Sequence, residues 1–154
     1  MKLEPGARIP AFDRLDDTGT ARSYEDFSGR GLVIYFYPKA FTPGCTTESC
    51  DFRDNHQRFV DKGYSVIGVS PDAVDALASF RTEYNLPFPL LSDQDHAMAS
   101  AFGAWGLKKN YGKEYEGLIR STFVIDEAGL IEHAWYNVRA KAHVSRVVKE
   151  VLDD

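Results

Sequence analysis

A chain of 154 residues with 44% hydrophobic and 27% charged positions can bury a core of its own and is too evenly mixed to be disordered. Its 18 Lys and Arg stand against 23 Asp and Glu, a formal charge of −5, which argues against nucleic-acid or anionic-membrane partners because both call for basic surface. The longest aliphatic-aromatic run, Leu32 to Tyr37, is too short to cross a bilayer, and Met1 to Arg14 has no apolar stretch of the export-signal kind. The expectation is a soluble, cytoplasmic protein with a single domain over 1–154.

In chain order, the first thirty residues hold Gly6, Pro10, Gly19, Gly29 and Gly31 and predict short strands and turns. Leu32-Val33-Ile34-Tyr35-Phe36-Tyr37 is a continuous β-prone run ended by Pro38, which suits a strand covered on both faces. A long helix is expected from about Pro43 to Lys62, stopped by Gly63. Tyr64 to Val69 predicts a second buried strand, and Ser70-Pro71-Asp72 a helix start, with Leu77, Phe80 and Tyr84 on the apolar face that follows.

Pro87 and Pro89 bracket a turn into a short strand near Leu90-Leu91, and Asp93 or Asp95 can cap a short helix through about Phe102. Lys108 to Glu116 is polar, with Gly112 and Gly117 nearby, and is expected to be an exposed loop. Ser121 to Asp126 and Leu130 to about Tyr136 predict a pair of strands turning through Glu127-Ala128-Gly129. Val144, Val147, Val148 and Val151 make one stripe on a terminal helix. The whole order predicts an α/β fold with a mixed central sheet flanked by helices, thioredoxin-like in pattern, with an N-terminal β-hairpin extension.

The chemistry concentrates where the first strand meets the long helix. The only two cysteines, Cys45 and Cys50, lie five apart there. In a reducing cytosol such a pair points to a reactive or transient bond rather than a permanent one. Thr42 suits the N-cap and Pro43 the first helical position, so Gly44 and Cys45 fall second and third. Cys45 then sits where leading N–H groups lack intrahelical partners and the helix dipole is positive, both of which favour a thiolate. Gly44 leaves those donors open to a small substrate oxygen.

On a helical wheel Phe52, His56, Phe59 and Val60 fall within about 60° of Cys45, which puts that cysteine on the core side. Cys50 falls about 140° away, on the stripe of Asp54, Gln57 and Asp61, facing solvent. On an intact helix the two Cα atoms stand about 8.6 Å apart. A disulfide needs less than about 7 Å. If the pair bonds, the first turns of the helix must unwind.

The run Tyr37-Pro38-Lys39-Ala40-Phe41-Thr42-Pro43-Gly44-Cys45, with its Pro-x-x-x-Thr-x-x-Cys pattern, resembles the peroxiredoxin active-site signature. With Cys50 five residues on, it is similar to the peroxiredoxin Q (bacterioferritin comigratory protein) subfamily. The likeness extends to Leu91-Ser92-Asp93, Phe102-Gly103-Ala104-Trp105-Gly106 and Arg120-Ser121-Thr122-Phe123-Val124-Ile125-Asp126. It implies a thiol-dependent peroxidase of hydrogen peroxide and organic hydroperoxides. Cys45 is then the peroxidatic cysteine, oxidised to a sulfenic acid, and Cys50 the resolving cysteine, which condenses with it. Thr42 Oγ is implied to hydrogen-bond thiolate and peroxide, Arg120 to favour the thiolate and polarise the O–O bond, and Pro38 to exclude water. Glu48, where the subfamily often has Gln, matches a position that orients the arginine. Gly44, Cys45, Thr42 and Arg120 together form the implied substrate site. Thioredoxin or a glutaredoxin-like dithiol is the implied reductant, no cofactor is expected, and the subfamily points to a monomer.

Other readings are weaker. Thiol–disulfide oxidoreductases use Cys-x-x-Cys, not the spacing found here. A redox sensor fits the unwinding, but no partner surface is marked. His56, His96, His133 and His143 show no metal spacing, and Gly106 to Lys113 lacks the arrangement of a phosphate loop. Trp105, Tyr111 and Tyr115 are expected to be packing or loop aromatics.

Overall fold

The computed structural model describes residues 2–110 and 112–152; Tyr111 lies outside them. Among the described residues the main sheet has seven strands. In chain order they are β1 (Asp13–Asp16), β2 (Ala21–Ser23), β3 (Gly31–Phe36), β4 (Tyr64–Ser70), β5 (Leu90–Ser92), β8 (Ser121–Ile125) and β9 (Ile131–Trp135). In space the order is β2-β1-β5-β4-β3-β8-β9. β3, β4 and β5 run parallel, while β8 and the β1–β2 hairpin run antiparallel to their neighbours, so the sheet is mixed as expected. The N-terminal hairpin extends the sheet itself, because β1 pairs with β5 at Leu15↔Ser92 and Asp16↔Leu91.

β3 is buried along its whole length, and its alternation supplies both layers of core. Val33, Tyr35 and Tyr37 join residues of α1 (Pro43–Asp61), α2 (Val74–Tyr84) and α4 (His143–Val151). Leu32, Ile34 and Phe36 join Met98 and Ala99 of α3 (Ala97–Ala101) and the N-terminal Ile9 and Phe12. The apolar stripes fall as the spacing requires: Cys45, Phe52 and Phe59 of α1, and Val144, Val147, Val148 and Val151 of α4, are buried.

Two local expectations need correction. Within the stretch expected to be a loop, Lys108 to Asn110 and Lys113 to Glu116 are strand residues of an antiparallel ribbon, β6 (Trp105–Asn110) with β7 (Lys113–Leu118). Leu107 and Tyr115 are exposed on it, so no buried face imposes a strand-like hydrophobic alternation. The Ser70-Pro71-Asp72 signal does not cap α2, which starts two residues later after Ala73. The Asp72 carboxylate is engaged elsewhere: it accepts from Ser70 Oγ at 2.8 Å and from the backbone N–H of Ala40 at 2.7 Å. By contrast, both Asp93 and Asp95 serve α3. Asp93 accepts from Met98 N and Ala99 N, and Asp95 from Ala97 N.

Candidate active site

The site forms where β3 ends and α1 begins, at the C-terminal edge of the parallel strands. Tyr37 N still donates to Val69 O at 3.0 Å, which continues the sheet one residue past β3. Half-buried Pro38 opens the connection, and the bond from Ala40 to Asp72 pins its middle. Phe41 takes φ 66°, a left-handed conformation that costs a bulky residue strain and turns the chain into the helix. Its exposed ring is braced 5.1 Å from Phe80. Thr42 then holds the extended N-cap conformation with Pro43 inside the first turn, as the sequence predicts.

The Thr42 hydroxyl departs from expectation. It makes no cap bond and no bond to Cys45; it donates to Lys39 O at 2.7 Å. The turn brings the Lys39 carbonyl within its reach, and with the proton committed there the oxygen keeps its lone pairs as acceptors. An approaching O–H group therefore finds an acceptor at Thr42.

Cys45 is fully buried at the third helical position. Arg120 reaches it from the short link before β8. The register Phe36↔Ser121 brings that link beside the end of β3, and Arg120 O holds the loop between β9 and α4 by accepting from Val138 N at 3.0 Å. The guanidinium divides its donors: Nη2 stands 3.3 Å from Cys45 Sγ and Nη1 2.6 Å from Glu48 Oε1. The planar fork of arginine allows both contacts at once. Burial works against the cation, but Glu48 and Cys45 outweigh it and its pKa is raised. Gly44 borders the same space, since a Cβ there would lie 3.4 Å from Arg120 Nη2 and 3.5 Å from the Ala140 methyl.

Glu48 is fully buried, and among the described residues its second oxygen has no hydrogen-bond partner. Burial pushes its carboxyl up to about 7, and the charge and hydrogen bond of Arg120 keep it from rising further. Cys50 is half-buried and its thiol is pushed up, by burial first. Both cysteines are free and α1 is unbroken between them. The two sulfurs are thus unequal: one faces a helix N-terminus and a guanidinium, the other a surface where it rests as a thiol. Among the described residues no cluster of His, Cys, Asp and Glu could hold a metal ion.

Two buried contacts beside the site were not visible in the sequence, because each joins elements far apart in the chain. Tyr35 Oη and Ser49 Oγ share a 2.8 Å hydrogen bond between β3 and α1. Thr122 Oγ1 and His143 Nε2 share another at 2.8 Å between β8 and α4. Burial, helped by Arg120 and Arg146, lowers the His143 pKa to about 4. A fall from 6.5 to about 4 contributes about 3 kcal/mol, fully present above pH 6.5 and lost as pH falls through the folded value. The urea midpoint is therefore expected to drop between pH 6.5 and 4, and less steeply in His143→Gln. Equal slopes in the two proteins would contradict the assignment.

A buried cysteine in the first turn of a helix, faced by an arginine and an acid that shares it, defines a thiol-redox site of the peroxidase class. The AhpC/TSA family pattern matches residues 5–134, and the chain belongs to that family, among its Bcp/peroxiredoxin Q members. Peroxiredoxin Bcp of Bacillus subtilis is 45% identical over 153 residues, 99% of this chain and 98% of that protein. Peroxiredoxin Bcp of Escherichia coli is 40% identical over 141 residues, 92% of this chain and 90% of that one. A solved structure of the Xanthomonas campestris bacterioferritin comigratory protein, described for alkyl peroxide reduction, superposes with a TM-score of 0.88 at 35% identity, covering 96% of this chain and 97% of that one. The fold is thioredoxin-like, and thiol peroxidase activity goes with the family.

Proposed function

We propose that the chain reduces hydrogen peroxide and alkyl hydroperoxides in two thiol steps. The Cys45 thiolate attacks one peroxide oxygen, the O–O bond breaks, and water or an alcohol leaves once the departing oxygen is protonated; sulfur keeps the other oxygen as a sulfenic acid. The observation that carries this reading is the 3.3 Å contact between Arg120 and a sulfur held in the first turn of a helix. Arg120 faces the thiolate and the breaking O–O bond together. Thr42 Oγ accepts the peroxide O–H, the backbone donors at Gly44 and Cys45 receive the other oxygen, and Pro38 covers the site. Glu48 holds the guanidinium in place.

Cys50 then attacks the Cys45 sulfenic sulfur. The S–O bond breaks, an S–S bond forms and water leaves, all within one chain, so no second subunit is needed and a monomer suffices. Thioredoxin or a glutaredoxin-like dithiol reduces the disulfide by exchange, in keeping with a cytoplasmic setting. The Xanthomonas relative supports the alkyl peroxide assignment.

Peroxide consumption by the purified protein with thioredoxin, thioredoxin reductase and NADPH tests the reading: turnover is expected, and none with any dithiol protein would overturn it. Cys50→Ser is expected to consume one equivalent of peroxide and then stall, with Cys45 passing to sulfinic acid as peroxide rises. Sustained thioredoxin-linked turnover in that variant would exclude Cys50 from resolution.

A further inference from the structure

Resolution requires residues 45–50 to leave the helix, and one buried hydrogen bond inside that span opposes it. Ser49 is fully buried, and its hydroxyl bonds Tyr35 Oη, also fully buried, at 2.8 Å. The tyrosine cannot follow the serine outward. Its ring is stacked 4.6 Å from Phe52 and lies edge-on to Phe88 at 5.9 Å. Beneath it Gly68 is open only because it has no Cβ; one there would lie 2.8 Å from Tyr35 Cζ. When Ser49 leaves, Tyr35 Oη stays in the core with no partner, and an orphaned buried hydroxyl costs more than the bond itself contributes. Just beyond the span, the helix is held by fully buried Phe52 and by Arg53 Nη1, which donates to Tyr84 O at 2.8 Å. Unwinding therefore stops near residue 51.

We propose that the Tyr35–Ser49 hydrogen bond is a latch that sets how fast Cys50 resolves Cys45, and so how much peroxide the enzyme withstands before over-oxidation. Tyr35 and Ser49 are positioning residues: their hydroxyls bond each other rather than either sulfur, and they act through the helix that carries both thiols. The latch rests on the reading of Cys50 as the resolving cysteine. A closed latch keeps Cys45 in the first turn, facing Arg120, for the peroxide step. An open one lets Cys50 approach. While it stays closed, the sulfenic acid is exposed to a second peroxide, which gives it another oxygen and itself leaves as water or alcohol.

Tyr35→Phe keeps the ring and its packing, removes the bond from the wound helix and removes the orphan from the unwound one. Ser49→Ala leaves Tyr35 Oη without that partner in both states, so unwinding no longer breaks a bond or creates a new orphan. Both are expected to speed disulfide formation about three- to ten-fold, the scale of one net hydrogen bond, and the double variant no more than the faster single one. The second-order rate of sulfenic acid formation should not change. The peroxide concentration that over-oxidises half the protein in one cycle should rise by the same factor. Stopped-flow tryptophan fluorescence separates the two phases, and mass spectrometry of quenched samples identifies disulfide and sulfinic acid. Hydrogen exchange at residues 54–61 confirms that the rest of α1 is intact. Unchanged resolution rates in both single variants, with the disulfide still forming, would overturn the latch while leaving the function standing. Failure of the wild type to form a Cys45–Cys50 disulfide would overturn the functional reading as well.

Discussion

Cys45→Ser is expected to abolish hydroperoxide reduction down to the uncatalysed background. The exchange leaves the helix cap, the Arg120–Glu48 pair and the second thiol in place. What it removes is the sulfur nucleophile that attacks the peroxide and retains an oxygen, since a serine hydroxyl is a far weaker nucleophile and cannot hold that oxygen as a sulfenic acid. The cost to the fold is small: a buried hydroxyl with at least one donor in reach destabilises by about 1–2 kcal/mol. Peroxide consumption in the coupled assay, with near-UV circular dichroism to confirm the fold, checks both halves. Residual turnover above background would move the nucleophile elsewhere.

Arg120→Met is the second large effect. One charged donor aimed at developing negative charge is worth about 10²–10³ in rate, and kcat/KM is expected to fall by that factor. Arg120→Lys should rescue little, because one ammonium cannot match a fork that reaches Sγ at 3.3 Å and Oε1 at 2.6 Å together. Stability also suffers. Glu48, already pushed up to about 7 by burial, loses the cation that restrains it and rises further. A raised carboxyl loses stability as pH climbs through its folded value, so the deficit against wild type should widen above pH 7. Adding Glu48→Gln should recover the stability but not the rate. Urea midpoints from pH 6 to 9 and steady-state kinetics on the three proteins separate the two effects. Full activity in Arg120→Met would remove the arginine from the chemistry.

Much of this site was legible in the sequence because it is local. Thr42, Pro43 and Gly63 bound the helix, and once its start is known the place of Cys45 and the offset of Cys50 follow from helical geometry. The β3 run was readable for the same reason, as a short segment with no polar face. Contacts that cross the sheet were not readable. Nothing near Ser49 marks Tyr35 as its partner, and nothing near Thr122 marks His143; the pairing of β3 with α1 and of β8 with α4 makes those neighbours. Arg120 has no local signal either and emerged only through the resemblance. Asp72 and Thr42 show the limit of capping rules: both are typical helix-start residues, yet each engages the loop between β3 and α1, where a nearer backbone partner competes successfully. The β6–β7 ribbon failed because a two-stranded arm with exposed faces carries no hydrophobic period.

The central assignment is that Cys45 takes the oxygen and Cys50 removes it by leaving the helix. Stoichiometric peroxide followed by intact and peptide mass spectrometry, with hydrogen exchange on the same samples, tests it most directly. Wild type should lose two hydrogens and yield one Cys45–Cys50 cross-linked peptide, with amide protection falling across 45–50 and holding across 54–61. Cys50→Ser should instead gain one oxygen on Cys45 with the helix intact. Oxygen gained first at Cys50, or a disulfide formed with unchanged protection over 45–50, would contradict it.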